Sequence, residues 1–417
     1  MRNILQKPAL RYVFVANMVS MIGSGMNSTA VAWFILQTTH SEMALGTFAV
    51  LQTLPAMLLL PFTGVIIDRE DRRRLVMMLD IIRAVIILVV AVLAYTHRVK
   101  IWEVYAMNTL VAAGFWMFWP TITALIQELT AGEEYVHANT FLMAGIQGGF
   151  FMAGAIVGFV YNHIGLGGVL LIDVCSYVVS FLCYFAVRKG KHIVPHVAEL
   201  KSDLIGAETT VERFFREMRE GFKFLRGNTN IVMLGISWAL FLGAMLTGVV
   251  VIGPLSDKVF HAGATGYGWL NGGWGVGAFL STLYTSQLIG WIGARRSIAI
   301  SMGALAICVS IAPLSPMLAL AVFFFGIMGS ARGVSGVAMN TSIMEMVPQH
   351  FMGRVQNTFY CAGTGLQIIL GLIVGVVAEY NLVAGFAVIG IVYALAFVAS
   401  SWPLKATTPV TEPSPAD

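Results

Sequence analysis

Charged residues are scarce in this chain of 417 residues, of which Asp, Glu, Lys and Arg together make up only 11%. A soluble domain typically contains about 25% charged and about 45–50% apolar residues. Here hydrophobic residues reach 58%, and the mean hydropathy is +0.80. This composition excludes an ordinary soluble domain and predicts an integral membrane protein.

Cysteine is also rare, and chemical motifs are missing. The four cysteines lie in apolar segments and lack the spacing of a metal site or a disulfide framework. The glycine-rich stretch 266–277, "GYGWLNGGWGVG", lacks the strand that a nucleotide-binding motif requires, and helix packing or bending explains it better. We expect no cofactor, no metal and no enzymatic activity. Basic residues sit in short loops, so the net charge of +4 indicates no nucleic-acid partner.

Long apolar runs fill most of the chain. A helix that crosses a bilayer needs about 20 apolar residues. The first run, at 12–36, is too long for the apolar region of a signal peptide, so we expect no signal peptide. Twelve segments meet this requirement: 12–36, 43–67, 75–96, 104–126, 136–160, 166–187, 231–256, 264–291, 297–314, 317–342, 355–378 and 382–404.

The two halves of the sequence repeat each other. The stretch "ALIQELTAGEEYVHANTF" (124–141) aligns without a gap on "SIMEMVPQHFMGRVQNTF" (342–359). Paired glycines in the fifth segment recur in the eleventh, and repeated halves are typical of transporters with a site between them. The predicted domains are a six-helix half at 1–187, a linker at 188–230, a second six-helix half at 231–404 and a disordered tail at 405–417.

Lys and Arg lie mainly on one side. The loops on the side of both termini hold 20 of the 25 basic residues, which predicts cytoplasmic termini in the inner (plasma) membrane. The linker stretch "VERFFREMREGFKFL" (211–225) has an apolar face and a basic face. It predicts an amphipathic helix that either lies on the membrane surface or packs beneath the helices.

The loop "GVIIDREDRRRL" (64–75) carries seven consecutive charged residues. It resembles the major facilitator superfamily pattern G-x-x-x-D-R-x-G-R-R, except that Asp71 replaces the second glycine. The resemblance covers roughly 8–405 and implies twelve transmembrane helices in two pseudo-symmetric halves. The matching residues are Gly64, Asp68, Arg69, Arg72 and Arg73.

Local phrases narrow the resemblance. "SMIGSGMNSTAVAWFILQTTHSEMALG" and "VPQHFMGRVQNTF" resemble the macrolide-efflux-like branch, which includes siderophore exporters and is related to lysophospholipid flippases. That branch implies export or flipping of amphipathic molecules. The fourth segment lacks the arginine of drug:proton antiporters, and Ala155 stands where their fifth segment has proline. Proton coupling therefore stays open.

The resemblance also implies a gate. In the family, the loop aspartate faces the cytoplasmic start of helix 11, where free N–H groups and the helix dipole attract a carboxylate. Gly64 would allow close helix approach. The loop arginines either pair with carboxylates or only hold the loop in the cytoplasm. The gating candidates are Gly64, Asp68, Arg69, Arg72, Arg73, Asp80, Arg83, Glu128, Glu345 and Arg354.

Four charges lie inside predicted spans. Asp80 and Arg83 are three residues apart and are expected to pair along one helix face, bracing the gate. Arg332 lies near the middle of its span, where a charge costs about 2.5–3.5 kcal/mol on insertion scales. It either holds an anionic headgroup or braces protein groups. Asp173 has either a structural role or a role as the proton-coupling site.

The predicted cavity is mostly apolar. A polar stripe follows the first helix and either lines the cavity or packs against another helix. Aromatic and Met side chains with few polar groups suit amphipathic ligands. The candidate substrate-binding residues are Asn17, Ser20, Ser24, Asn27, Trp116, Trp119, Gln147, Trp238, Phe241, Met245, Arg332 and Gln367.

The sequence therefore predicts a monomeric transporter that works by alternating access. Its expected partners are a small amphipathic substrate, membrane lipids and, as a candidate coupling ion, protons. The alternatives are a small-solute uniporter or importer, or a membrane sensor that transports nothing.

Overall fold

The computed structural model describes residues 8–69, 71–130, 132–187, 210–347 and 349–402. The tail at 405–417 and the first part of the linker, 188–209, lie outside the described residues. At Gly64, Asp68, Arg69 and Gln147 the structure describes only the backbone.

Helices dominate the described residues. In chain order they are α1 (Pro8–Thr39), α2 (Glu42–Arg69), α3 (Arg72–Tyr95), α4 (Ile101–Leu129), α5 (Gly132–Ala186), α6 (Thr210–Arg226), α7 (Thr229–Thr247), α8 (Val249–Pro254), α9 (Gly263–Ile292), α10 (Ala294–Ile311), α11 (Leu318–Met346), α12 (Gln349–Tyr380) and α13 (Leu382–Ser401). Helix α5 is broken at Gly165, whose φ of 62° is left-handed and favours glycine. The break gives α5 two arms, 132–164 and 166–186.

Ten helices in the described part of the chain are long and apolar enough to cross a membrane. The predicted all-α membrane fold is confirmed. The count of twelve crossings stays a prediction.

The start of α3 explains the departure from the family's loop pattern. The Asp71 side chain accepts a hydrogen bond of 3.1 Å from the backbone N–H of Arg74. Asp71 is thus the N-cap of α3, because it satisfies one of the N–H groups that the first helical turn leaves free. A glycine there cannot supply this bond.

The helices pack in two sets that precede and follow α6. In the first set, α1 and α3 pack on the long α5, and α2 and α3 pack on α4. In the second set, α9 and α10 pack on α11, while α7 packs on α12 and α13. The main contacts between the sets join α5 to α9 and α2 to α12. Large apolar side chains such as Leu58, Phe185 and Trp291 remain exposed, as expected of a surface that faces lipid.

Helix α6 packs on the underside of the second set. A Cβ built on Gly221 would lie 3.1 Å from the carbonyl oxygen of Arg354, so α6 lies close to α12. Glu220 forms an ion pair of 2.9 Å with Arg354, and Leu225 is buried while Phe222 is exposed. These contacts favour the packing alternative for the linker helix. The domain boundaries themselves stay a prediction.

Candidate functional site

Two glycine contacts join the helix sets near one end of the molecule, which we call the Glu42 end. A Cβ built on Gly158 would lie 2.6 Å from the Cα of Gly268, where α5 crosses α9. One built on Gly46 would lie 2.5 Å from the carbonyl oxygen of Gly371, where α2 crosses α12. The backbones can approach this closely because neither helix carries a side chain at the contact.

Polar groups close the same end. Lys258, between α8 and α9, forms an ion pair of 2.6 Å with Glu42 at the start of α2. Glu379, near the end of α12, accepts hydrogen bonds from the Ser41 hydroxyl at 2.6 Å and from the Met43 N–H at 2.8 Å. A carboxylate of the second set therefore caps the first turn of a helix in the first set, where the helix dipole favours negative charge.

At the opposite end, the described gating candidates make contacts mostly within one set. Arg72 pairs with Glu128 at 3.1 Å and donates to the Ala124 carbonyl at 3.0 Å. Arg73 donates to the carbonyls of Tyr184 and Phe185, at 2.8 and 2.6 Å, so it joins α3 to α5.

The remaining gating candidates are not brought together. Arg354 pairs with Glu220 of the linker helix, and Glu345 is exposed. At Gly64, Asp68 and Arg69 the structure describes only the backbone. The gate at this end stays a prediction.

A buried polar cluster joins α3 to α5. Asp80 and Arg83 form an ion pair of 2.6 Å, and both side chains have 0% exposure. The Ser180 hydroxyl donates to Asp80 at 2.7 Å, and Arg83 donates to the Tyr177 hydroxyl at 3.3 Å. Removing one partner of a buried pair typically costs about 3–5 kcal/mol, because the other charge is left unpaired. A glycine of α4 leaves room beside the guanidinium: a Cβ on Gly114 would lie 3.0 Å from Arg83.

Asp173 extends this cluster to α1. It is fully buried and accepts a hydrogen bond of 2.7 Å from the Asn27 amide. The Ser176 hydroxyl lies 3.2 Å from its other oxygen. Asp173 thus has neutral hydrogen-bond partners, whereas Asp80 has the guanidinium. The cluster contains two carboxylates and one arginine, so it can hold one extra proton without net positive charge.

The second half of the polar stripe on α1, Ser24 and Asn27, faces this cluster. Ser24 and the Tyr177 hydroxyl lie 2.8 Å apart, and Asn27 binds Asp173. For these two residues the geometry favours packing against α5 over cavity lining. Asn17 and Ser20 are also fully buried. The amide atoms of Asn17 have no hydrogen-bond partner among the described residues.

A second group of candidates surrounds Arg332. Its Nε lies 3.1 Å from the Met245 sulfur, and its guanidinium lies 4.9 Å from the ring centre of Trp274. Phe241 packs against Trp238 on the same face of α7, with ring centres 6.1 Å apart. This group presents a cation next to an aromatic and thioether wall.

Trp116 and Gln367 contribute to contacts between the helix sets. The Trp116 N–H donates to the Gln52 carbonyl at 3.2 Å, and its ring meets Tyr360 of α12 edge-on at 5.6 Å. Gln367 is buried and donates to the Ala49 carbonyl at 3.0 Å. Trp119 is half-buried among the apolar side chains of the first set.

A family model described as Major Facilitator Superfamily matches residues 13–371. The chain belongs to this superfamily. It is therefore a multi-pass membrane protein of a transporter family, which points to transport and not to catalysis. Among the described residues, no group of His, Cys, Asp or Glu side chains could hold a metal ion.

Curated relatives of this facilitator chain are transporters at low identity. Macrolide efflux protein A of Streptococcus pyogenes is 23% identical over 55% of this chain and 54% of its own length. An uncharacterised transporter of Bacillus subtilis, YkuC, is 24% identical over 62% of this chain and 58% of its own length. These two alignments span little more than half of each relative. The multidrug efflux pump Tap of Mycolicibacterium fortuitum is 23% identical, and 85% of each chain is covered.

Solved structures share the facilitator fold. A variant of the nucleoside transporter NupG gives a TM-score of 0.73 at 14% identity, covering 94% of this chain and 98% of that one. A bacterial homologue of the iron transporter ferroportin gives 0.70 at 16% identity, with the same coverage. At these identities the likeness establishes the fold alone.

Sequence reasoning missed several residues that connect the helices of this facilitator. Glu42, Lys258 and Glu379 read as ordinary charges at helix ends, although their position on the side opposite the basic loops was a usable signal. Tyr177 and Ser180 gave a weaker signal. Both lie in the predicted sixth span. Tyr177 is four residues after Asp173, and Ser180 is three residues after Tyr177, which places all three on one helix face.

Proposed function

We propose that this chain exports or flips amphipathic organic compounds across the plasma membrane by alternating access. The observation that carries the proposal is the closure between the helix sets at the Glu42 end. Two glycine crossings, an ion pair and a carboxylate-capped helix meet there. A transporter that alternates needs such a closure at one end while its site opens toward the other.

The sequence supplies the orientation. Because the basic loops lie at the opposite end, we assign both termini to the cytoplasm and the Glu42 end to the outside. In this assignment the structure is closed toward the outside. Asp68 and the arginines of its loop would then close the cytoplasmic end in the other half of the cycle, with Asp68 against the start of α12.

The side chains around Arg332 support an amphipathic substrate. Trp238, Phe241 and Met245 line one face of α7, and Trp274 faces them from α9 across the guanidinium. Such walls adapt to apolar groups of different shape, whereas a small polar solute needs more fixed hydrogen-bonding groups. The efflux relatives favour the same substrate class.

The buried cluster supports protons as the coupling ion. Asp173 has hydrogen bonds from neutral groups on α1 and α5, while Arg83 and Asp80 of α3 are joined to the same cluster through Tyr177. We assign the exchangeable proton to Asp173, because Asp80 is tied to the guanidinium. The alternative is that Asp173 only joins the helices.

Transport by purified protein in proteoliposomes tests the proposal. The assay imposes a pH gradient and offers a panel of macrolides, lysophospholipids and siderophores beside a nucleoside, a sugar and an amino acid. We expect movement of at least one amphipathic compound, driven by the gradient. Movement of only a small polar solute would favour the importer or uniporter alternative, and movement of nothing would favour a sensor.

A further inference from the structure

Arg332 is a cation at the middle of a membrane helix, and no carboxylate among the described side chains pairs with it. It lies fourteen residues from either end of α11, the helix Leu318–Met346. From residue 229 to residue 402 the sequence contains only three acidic residues: Asp257, Glu345 and Glu379. All three lie near helix ends. Glu345 is thirteen residues along the same helix, which is about 20 Å at 1.5 Å per residue.

Four carboxylates that the structure describes in the first helix set have partners elsewhere. Glu42 pairs with Lys258 at the closed end, and Glu128 pairs with Arg72. Asp80 and Asp173, which lie well inside their helices, belong to the buried cluster on α3 and α5.

The contacts of Arg332 leave one edge of the guanidinium available. The Nε atom is directed at the Met245 sulfur, which is a weak acceptor, and the guanidinium carbon lies 4.9 Å from the ring centre of Trp274. Tyr393 of α13 also lies close enough to interact electrostatically with the guanidinium. No hydrogen bond or ion pair joins Nη1 or Nη2 to any residue that the structure describes. These two nitrogens form the fork that binds two oxygens of a carboxylate or phosphate side by side.

We infer that Arg332 binds the anionic group of the transported molecule, and that the substrate class is an amphipathic anion with a carboxylate or phosphate head. The apolar part lies along the wall formed by Trp238 and Met245, with Phe241 buried behind them. Arg332, Met245 and Trp274 are all half-buried, so none of the three is sealed within the core. The inference rests on the proposed function for its substrate role, but the binding site can be tested without transport.

The first experiment measures binding by calorimetry to the full chain in nanodiscs of neutral lipid. The probes are dodecanoate and dodecanamide, which share a tail and differ in the charge of the head. We expect wild type to bind dodecanoate at least tenfold more tightly than dodecanamide. Arg332→Gln is expected to lose that preference, and Arg332→Lys to keep only part of it, because an ammonium lacks the fork.

The matched control is Arg296→Gln, which removes the same charge from an exposed position in the same helix set. It is expected to bind both probes like wild type. Equal dodecanoate affinity in wild type and Arg332→Gln would overturn the inference. So would a marked loss of thermal stability of ligand-free Arg332→Gln, because Arg332 would then brace protein groups instead of awaiting a ligand.

Two further measurements test the source of the anion and the need for an apolar tail. Adding anionic phosphatidylglycerol to the nanodisc weakens dodecanoate binding if a bilayer lipid supplies the head, and leaves it unchanged if a separate amphiphile does. Competition by acetate as strong as by dodecanoate would contradict the amphipathic class. Arg332-dependent binding together with a failed transport assay would sink the proposed function and leave the site in place.

Discussion

Asp71 occupies the position where the family's loop pattern has a glycine, and its carboxylate caps α3. The substitution gives the loop a helix-starting bond of the kind that usually contributes about 0.5–2 kcal/mol. Asp71, one residue of the charged run, thus begins a helix, which is a role separate from setting the orientation of the loop in the membrane.

Replacing Asp71 by alanine is expected to lower the free energy of unfolding by about 1 kcal/mol, because the Arg74 N–H loses its acceptor. Asp71→Asn keeps an acceptor and is expected to stay close to wild type. Denaturant titration of the purified protein in detergent measures both. An equal loss in the two variants would show that charge, not capping, is what Asp71 supplies.

Asp173 is the residue at which proton coupling can be separated from packing. Asp173→Asn is expected to abolish the response of transport to an imposed pH gradient while substrate binding persists, because an amide cannot take up the proton. The measurement is substrate flux into proteoliposomes with and without the imposed pH gradient. Asp257→Asn, a carboxylate between α8 and α9, is the control and should respond like wild type. A full pH response in Asp173→Asn would leave Asp173 with a purely structural role.

At the scale of helices, the crossing of α5 and α9 depends on the absence of side chains. Gly158→Leu is expected to force the two backbones apart at the Glu42 end, because the Cβ alone would meet the Gly268 Cα. Spin labels at His40→Cys and His261→Cys, in a background without native cysteines, report the distance between the two sets. These two histidines are exposed in loops of different sets.

The matched control for that wedge is Gly290→Leu in α9. A Cβ at Gly290 would have no heavy atom within 4 Å, so the distance between the labels should not change. If Gly158→Leu leaves the distance distribution as it is in wild type, the crossing does not set the separation of the helix sets.

At the scale of the whole molecule, each end of the α2–α12 pair has its own carboxylate. Glu379→Gln is expected to lower the population closed at the Glu42 end about two- to fivefold, since a charge at a helix start contributes about 0.3–1 kcal/mol. Asp68→Asn should shift the same equilibrium the other way. The label pair at positions 40 and 261 reads out both.

Glu103→Gln controls for loss of charge alone, because Glu103 caps α4 within one helix set through the Lys100 N–H. It should leave the distances unchanged. If Glu379→Gln and Asp68→Asn shift the distance between the labels in the same direction, the two carboxylates do not stabilise opposite states.

How far the sequence predicted the molecule depends on the range of each contact. The helices, the membrane class and the pairing of Asp80 with Arg83 follow from local periodicity, and the structure has all three. The bond between Asn27 and Asp173 joins residues 146 positions apart, so no local pattern encodes it. Glu379 capping α2 is equally non-local, because it depends on how the two helix sets meet. The repeated glycines at 154, 158, 371 and 375 were visible, but their partner helices were not.

The glycine crossings also bear on how much free energy it takes to open the Glu42 end. Burying one large aliphatic side chain contributes about 1.5–3 kcal/mol, so a contact surface built from leucines would hold the helix sets together too firmly to cycle. Glycine backbones bury little apolar area, and water can hydrate Glu42, Lys258 and Glu379 once they separate. The apolar area that opening must expose comes from the side chains around the glycines, such as the stacked rings of Trp33 and Tyr267. The glycine crossings therefore lower the free energy that substrate or proton binding must supply to open this end.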